Sequence, residues 1–452
     1  MHCRLISLWD CVVMNPPVHA TPMSLSISMA LPEESGWALS ASFAAGRAGA
    51  AALTPCHSMS SRENYMSKKW ILLVLPILLV GIIGCAGRVA TPEGWSGGAA
   101  EGDVLYIGTR KGDIRALDIQ SGEVQKSFSL VSTQKQASLF GTRDAEVASS
   151  VYGTPLLHDD TLYFGTYHGV LYALSTPDLD TKWAEPIGSP IVGGPTLAGD
   201  VVLVGADNGK VYAFDQEADE QQRWTASERW TFQTGNKVWS SPIAADGVVY
   251  ATSLDKNLYA ISLEDGSKLW QFATNGAIAS SPVYDDGTVY FGSFDKVFYA
   301  VNASDGTLRW KFDGADSWYW GTPLVHGNDV YAPSLDGKLY ALDKRNGNLQ
   351  WSLTTEGPIV GSPAVIFDMI AVGSDDGKLH IARISDGNPV DFCNMRTEIR
   401  SSLAVQDDTV FLSAKDKSIR ALRIKTNGNP DEEWVHQPDE DDPIDRGRIE
   451  DC

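Results

Sequence analysis

A unit of about forty residues repeats along the chain, and this repeat restricts the fold more than any other feature of the sequence. The segment 281–293, SPVYDDGTVYFGS, has the same pattern as 241–253, SPIAADGVVYATS, and both lead to an Asp-Gly turn and a Trp. One Ala position marks the phase of eight copies: Ala116, Ala173, Ala213, Ala260, Ala300, Ala341, Ile381 and Ala421. Successive markers are 40 or 41 residues apart, except for steps of 57 and 47 that place insertions at 131–150 and 217–227.

Each copy divides into four short apolar segments that are separated by turns. Asp336-Gly337 joins the second and third segments of one copy, and Asn346-Gly347 joins the third and fourth. Such pairs are strong hairpin signals, because Gly adopts a positive φ at little cost. A period near forty with four strands is typical of a propeller blade. The sequence therefore predicts an all-β, eight-bladed β-propeller of four-stranded antiparallel blades over residues 96–436.

The N-terminal part of the chain lacks this repeat. Residues 1–65 are predicted to be a misassigned translation start or an unstructured leader, and a true domain before a simple membrane anchor is the alternative. Basic residues and an apolar run then follow Met66, and this run is too short to span a bilayer comfortably. The segment Ile82-Ile83-Gly84-Cys85 resembles the bacterial lipobox. That resemblance implies a signal peptide at 66–84, a lipid on Cys85 and a tether over 85–95.

The chain has six cysteines, and processing at Cys85 would leave Cys393 and Cys452 as the remaining pair. An extracytoplasmic location permits a disulfide between them, which would fasten the acidic tail, 437–452, to the propeller. Two unrelated thiols fit the sequence equally well, because it does not report the geometry that a disulfide needs.

The spacing of Tyr340-Ala341-Leu342-Asp343, Asn346-Gly347 and Trp351 resembles the repeat of the PQQ-like, quinoprotein-type β-propellers. In that family the tryptophan docks one blade on the next, so the resemblance implies a structural role for it. Tryptophans occupy this slot, ten residues after the Ala marker, at Trp183, Trp270, Trp310 and Trp351. Shifted versions occur at Trp224 or Trp230 and at Trp434.

The resemblance divides into two branches with different functions. Quinoprotein dehydrogenases of the family hold PQQ and Ca²⁺ and use a pair of adjacent cysteines, which this sequence lacks. The sequence therefore favours the non-catalytic lipoprotein branch that includes BamB, a scaffold for outer-membrane protein assembly, and no cofactor is expected. A quinoprotein dehydrogenase with PQQ and Ca²⁺, or a propeller that binds a small molecule or glycan in its funnel, is the alternative.

The charge of the chain limits its partners. A net charge of -21 argues against nucleic acid, because binding to phosphates requires a basic surface. The partners expected are proteins of the cell envelope, with the membrane reached through the lipid anchor. The two insertions are the predicted contact elements, because loops on a rigid scaffold often carry recognition.

A ring of candidate binding residues surrounds the predicted funnel. Three places before the Pro of each copy, the side chains include Tyr152, Trp239, Trp320 and Arg400, and the densest aromatic cluster is Trp318-Tyr319-Trp320. Aromatic faces and an Arg could stack on a sugar, a quinone or a peptide side chain. Packing between blades is the simpler interpretation, and the sequence offers neither a catalytic constellation nor a metal site.

Overall fold

A computed structural model describes residue 94 and residues 96–109, 112–138, 141–218, 224–437 and 452, with the backbone alone over 132–147. All of these residues belong to one unit, Thr91–Cys452. The predicted leader, the predicted signal peptide and Cys85 lie outside the described residues, as does most of the acidic tail. In the described part of the chain, no helix has the length and apolarity needed to cross a membrane.

Thirty-four strands make up the described structure. Those of blades 1 to 4 and of one additional hairpin, β5–β6, are β1 Gly98–Glu101, β2 Val104–Gly108, β3 Asp113–Asp118, β4 Val124–Ser129, β5 Val131–Ser138, β6 Gly141–Ala148, β7 Leu156–His158, β8 Thr161–Gly165, β9 Val170–Ser175, β10 Thr181–Pro186, β11 Thr196–Ala198, β12 Val201–Gly205, β13 Lys210–Ala218, β14 Trp224–Gln233, β15 Ile243–Ala245, β16 Val248–Thr252, β17 Asn257–Ser262 and β18 Lys268–Ala273. Those of blades 5 to 8 are β19 Val283–Asp285, β20 Thr288–Gly292, β21 Phe298–Asn302, β22 Leu308–Phe312, β23 Leu324–His326, β24 Asp329–Pro333, β25 Lys338–Asp343, β26 Leu349–Thr354, β27 Ala364–Ile366, β28 Met369–Gly373, β29 Lys378–Arg383, β30 Pro389–Asn394, β31 Ala404–Gln406, β32 Thr409–Ser413, β33 Ile419–Ile424 and β34 Pro430–His436.

The strands form eight four-stranded sheets, each with its strands in sequence order. Within each sheet all neighbouring strands are antiparallel, as in the register β15–β16–β17–β18. The eight-bladed propeller predicted from the repeat is therefore confirmed. Every blade is built from four strands that are consecutive in the chain. Within the described residues, therefore, no strand from one end of the chain completes the blade at the other end.

The Ala marker of the repeat has a specific place in each blade. Ala260 on the third strand lies directly opposite Trp270 on the fourth, and the strand register shifts immediately afterwards. The same pairing joins Ala300 to Trp310. An Ala at this place leaves room for the indole ring across the strand pair, which explains the constant spacing of these two residue types.

The apolar core lies between the blades. Eight buried clusters are found among the described residues, one for each pair of neighbouring blades. The cluster that closes the ring packs Leu105 and Ile107 of blade 1 against Phe411 and Trp434 of blade 8. The indole Nε1 of Trp434 also donates a hydrogen bond to the carbonyl oxygen of Ile119, at 2.7 Å. Side-chain packing between the terminal blades thus closes the ring.

Candidate functional site

The tryptophans of the repeat join each blade to the next. In five blades the indole Nε1 donates to a backbone carbonyl of the following blade at 2.7–3.0 Å, from Trp230, Trp270, Trp310, Trp351 and Trp434. Trp183 donates instead to the side-chain oxygen of Gln216, at 3.3 Å. Trp230 rather than Trp224 fills the shifted slot, since Trp230 is 7% exposed and Trp224 is 37% exposed. These tryptophans therefore pack between the blades, as the resemblance implied.

Two seams lack a docking tryptophan. Lys126 takes the slot in blade 1, where its Nζ lies 3.7 Å from Asp178. Asp391 takes it in blade 7, where it accepts a hydrogen bond from the Nδ2 of Asn429 at 2.6 Å. Cys393 lies two residues further along the same strand and forms a disulfide with Cys452. A covalent bond is therefore found at one of the two seams without an indole.

The interblade connections and the turns between second and third strands lie at one end of the propeller, because strands alternate in direction. We call this end the channel mouth. In the segments that lead into the first strands, the burial of the side chains alternates with a period of two residues. In blade 6, Trp318 and Trp320 are half-buried, whereas Tyr319 between them is 1% exposed and packs in the core between blades 5 and 6. Tyr319, which sequence analysis placed with the funnel residues, is thus directed away from the mouth.

Four aromatic side chains from three blades meet at the mouth, and we call Trp239, Phe294, Trp318 and Trp320 the mouth aromatic group. The ring of Phe294 stacks on Trp318, with centroids 4.7 Å apart, and on Trp320, at 5.3 Å. The ring of Trp239 lies 5.9 Å from that of Trp320. The fourth aromatic, Phe294, follows a strand rather than preceding one, and for that reason sequence analysis missed it.

Charged side chains fix the edge of the aromatic group. The Nε1 of Trp239 donates to Asp207 at 2.8 Å, and the Nζ of Lys237 forms an ion pair with the same carboxylate at 2.9 Å. The Lys237 ammonium also lies 5.6 Å from the centroid of the Trp239 ring. The indole is therefore held in one orientation by a hydrogen bond and a cation–π contact.

A second group at the mouth is ionic, and we call Asp375, Glu398, Arg400 and Lys415 the mouth ion group. Both oxygens of Asp375 accept hydrogen bonds from the Arg400 guanidinium at 2.9 Å, and Glu398 pairs with Arg400 and Lys415. Burial raises the pKa of Asp375, and the bonds from Arg400 oppose that rise. The candidate Arg400 is thus held in place as one member of a network.

Tyr152 was the remaining funnel candidate. It is 8% exposed, and its ring packs at 5.4 Å from that of Tyr167 in the same blade. The structure therefore brings Trp239, Trp318 and Trp320 together, and places Tyr152 and Arg400 in separate clusters around the mouth.

The two insertions lie at opposite ends of the propeller. The first forms the β5–β6 hairpin, with eight residues in each strand, between the last strand of blade 1 and the first of blade 2. This connection belongs to the channel mouth. The second lengthens β13 and β14, whose turn lies at the other end, and Tyr163 of blade 2 donates to Gln216 on its base at 2.9 Å. One partner surface at the mouth would therefore include the hairpin and exclude the extension.

A cavity of about 550 Å³ occupies the axial channel, and its lining comes from the first strands, or the residues just before them, of seven blades. A hydroxyl residue directly before the Pro position recurs in six of them: Thr154, Ser241, Ser281, Thr322, Ser362 and Ser402. Sequence analysis used the Pro as a marker and overlooked the hydroxyl before it. The repeated Ser-Pro and Thr-Pro pairs were the available signal for these lining residues.

The described residues do not fit PQQ with Ca²⁺. The lining of the channel cavity contains hydroxyls and apolar groups but no carboxylate to bind Ca²⁺. The carboxylates of Asp207 and Asp375 at the mouth are engaged by Lys237 and Arg400. Across the described ranges, no three His, Cys, Asp or Glu side chains are arranged to hold a metal ion.

Known proteins share this architecture and part of this sequence. The BamB of Yersinia pestis is 29% identical over 184 residues, which cover 38% of this chain and 42% of that protein. The BamB of Moranella endobia is 26% identical over 192 residues, which cover 40% and 45%. The chain thus spans less than half the length of these curated relatives.

Two solved structures share the fold at 18% identity. The designed protein Ika8 has a TM-score of 0.60 over 74% of this chain and 96% of its own, and BamB from Moraxella catarrhalis has 0.58 over 75% and 96%. The sequence profile of a family described as outer membrane protein assembly factor BamB matches residues 94–226, 222–281 and 268–443. Since this match covers all eight blades, the chain belongs to the BamB family.

Proposed function

We propose that this protein is a lipid-anchored, extracytoplasmic scaffold that holds protein partners during outer-membrane protein assembly. Partners bind at the channel mouth. The observation that carries the proposal is that the β5–β6 hairpin, which pairs with no blade among the described residues, and the mouth aromatic group occur at the same end of a rigid propeller. The names of the curated relatives, outer membrane protein assembly factors, support the process in which the scaffold acts.

The hairpin suits a protein partner because its strand edges carry backbone groups. Among the described residues, β5 pairs with β6 and neither pairs with a blade. An isolated two-stranded hairpin is marginally stable, and unpaired edges accept strands from other chains. Its base is fastened to the propeller by the N–H of Leu130, which donates to Gly112 at 2.7 Å. A partner strand added to this edge would extend a sheet that is already oriented.

The mouth aromatic group suits the same partner. Trp and other large aromatic side chains dominate the binding energy of protein interfaces, particularly where they are held rigidly. Trp239 is held by Asp207 and Lys237, and Trp318 is held by its stacking on Phe294. These rings lose little rotational entropy on binding, since they are already ordered.

The anchor follows from the sequence. A lipid on Cys85 and a tether over 85–95 would attach the propeller to a membrane surface. Replacing Cys85 with Ser is expected to move the protein from the membrane fraction to the soluble envelope fraction. Lipid anchoring would be contradicted if the variant stayed in the membrane fraction and if the N-terminal peptide of the wild type had the mass of the unmodified sequence.

Crosslinking in the native cell envelope, followed by mass spectrometry, tests the scaffold function. The full-length protein is expected to capture outer-membrane assembly proteins, and capture is expected to fall at least about tenfold in a Trp318→Ala, Trp320→Ala double variant. Deletion of 131–148 is expected to have a similar effect. Shortening the extension between Gln216 and Thr225 provides the matched control at the opposite end. Equal capture by mouth variants and control would refute docking at the mouth.

A further inference from the structure

The axial cavity differs chemically from the channel mouth. We call the six hydroxyl residues of its lining, Thr154, Ser241, Ser281, Thr322, Ser362 and Ser402, the hydroxyl ring. The cavity is lined by the residues just before and within the first strands, so it extends from the hydroxyl ring toward the end of the propeller opposite the mouth. Its volume of about 550 Å³ lies in the usual range for small-molecule sites. A ligand there would not compete with a partner at the mouth.

The hydroxyl ring presents hydrogen-bond donors to this cavity. The backbone N–H of Gly194 donates to the Oγ of Ser241 at 2.8 Å, and the N–H of Ser241 donates to the Oγ of Ser281 at 2.9 Å. The Oγ of Ser402 lies 3.1 Å from that of Ser362. A hydroxyl that accepts a backbone N–H keeps its own proton for another acceptor. The ring therefore suits a ligand with acceptor oxygens in several directions.

The cavity wall is apolar on one side and contains a single aromatic ring that is fixed in place. Leu156, Ile243 and Val283 contribute aliphatic surface. Tyr284 lies beside them, and its hydroxyl donates to Asp246 at 2.5 Å while its ring stacks on Tyr250. An ordered aromatic ring offers a flat surface to the C–H face of a ligand at little entropic cost.

The described lining offers no charged group that could pair with an ionic ligand. It contains no carboxylate, ammonium, guanidinium or imidazole among the described residues. Transfer of an ion into such a site costs far more than transfer of a neutral polar group that finds hydrogen bonds. The donor hydroxyls suit a molecule with acceptor oxygens at its rim. The aliphatic walls and the flat ring suit a molecule with apolar faces, and the uncharged lining suits one that carries no charge.

We infer that the axial cavity binds a neutral mono- or disaccharide. The hydroxyls of Ser241, Ser281 and Ser362 donate to sugar oxygens, and Tyr284 packs against a C–H face of the sugar ring. Gly194 takes the place of the hydroxyl residue in blade 3, where a Cβ would lie 2.4 Å from the backbone carbonyl oxygen of Thr154. This site is independent of the proposed scaffold function, since it uses none of the mouth residues.

Titration calorimetry of the full-length protein with N-acetylglucosamine tests the inference. Binding of N-acetylglucosamine and of glucose, which are both neutral, is expected. Glucosamine and glucuronate, which share the glucose ring but carry a charge, should bind about tenfold or more weakly than glucose. No heat above dilution at about 10 mM N-acetylglucosamine or glucose, or binding of the charged sugars equal to that of glucose, would overturn the assignment.

Variants of the cavity residues test whether the sugar binds in the axial cavity. Ser281→Ala and Tyr284→Leu should each weaken binding of N-acetylglucosamine about tenfold. Ala244→Trp should abolish it by filling the cavity, provided that thermal unfolding shows a folded protein. Trp318→Ala at the mouth is the matched control and should leave sugar binding unchanged while it reduces partner capture. If Ser281→Ala and Tyr284→Leu both bind N-acetylglucosamine as tightly as the wild type, the inference is overturned. If only partner capture fails, the scaffold proposal alone is contradicted.

Discussion

The rings of Trp239 and Trp320 lie 5.9 Å apart although they come from blades 4 and 6. The blade between them places Ala277 and Ala279 at the corresponding positions, and these short side chains leave the space that the two indoles share. The contact therefore depends on three blades in sequence and on the closed ring that sets their spacing.

A double-mutant cycle of Trp239→Ala and Trp320→Ala should give a coupling free energy of about 0.5–1.5 kcal/mol, the usual value for an aromatic pair. Urea unfolding of the two single variants and the double variant measures it. A second cycle combines Trp239→Ala with Trp351→Ala and serves as the control, since Trp351 packs elsewhere in the propeller. Its two losses of unfolding free energy should be additive. Additivity of the first pair would show that the indoles do not interact in solution.

The glycines of the turns offer a matched test of tryptophan docking. Gly306 and Gly287 both have a φ of +70°, so Ala is strained at either position. A Cβ on Gly306 would lie 2.5 Å from the ring of Trp270, whereas a Cβ on Gly287 would meet open space. Gly306→Ala should therefore lower the free energy of unfolding by about 1–3 kcal/mol more than Gly287→Ala. Equal losses in urea unfolding would show that the ring does not require the glycine.

The disulfide between Cys393 and Cys452 encloses blade 8, across a separation of 59 residues. Cross-links of this kind restrict the unfolded chain, so Cys452→Ser should lower the unfolding free energy of the oxidised protein by about 2–4 kcal/mol. Reductant provides the control, since it should remove the difference between wild type and variant. A wild type that is equally stable with and without reductant would contradict a stabilising role.

The pair formed by Asp376 and His380 gives a pH dependence. Burial would raise the pKa of Asp376, but hydrogen bonds from His380 at 2.8 Å and from the N–H groups of Glu356 and Lys378 lower it to about 2. The folded carboxylate is thus a weaker base than the unfolded one, whose pKa is 3.8. Its stabilisation is complete above about pH 4 and is lost as the pH falls toward 2.

Asp376→Asn should therefore lower stability at neutral pH and flatten its dependence on pH between about 4 and 2. Unfolding midpoints in urea, measured across this range, test the change. Asp313→Asn, at an exposed position, is the control and should keep the wild-type profile. An unchanged slope in Asp376→Asn would assign the acid sensitivity to other carboxylates.

Local patterns were sufficient for the propeller itself. The spacing of Ala341 and Trp351 within the repeat predicted eight blades, because each blade is built from neighbouring strands and each turn carries its own Gly or Asp signal. The sequence did not decide between Trp224 and Trp230, since the insertion at 217–227 contains the first and directly precedes the second. The register shift in blade 3 places Trp230 opposite Ala213 and resolves the choice.

The sequence by itself determined the strands, their turns, the number of blades and, outside blade 3, the identity of the docking tryptophans, all of which depend on residues close together in the chain. The tertiary structure alone decided that Phe294 joins Trp318 and Trp320, that Tyr319 is buried in the core between blades 5 and 6, and that six hydroxyls line one cavity. These groupings arise where separate blades converge on a common axis. Their members are far apart in sequence, so closure of the ring, and no local pattern, brings them into contact.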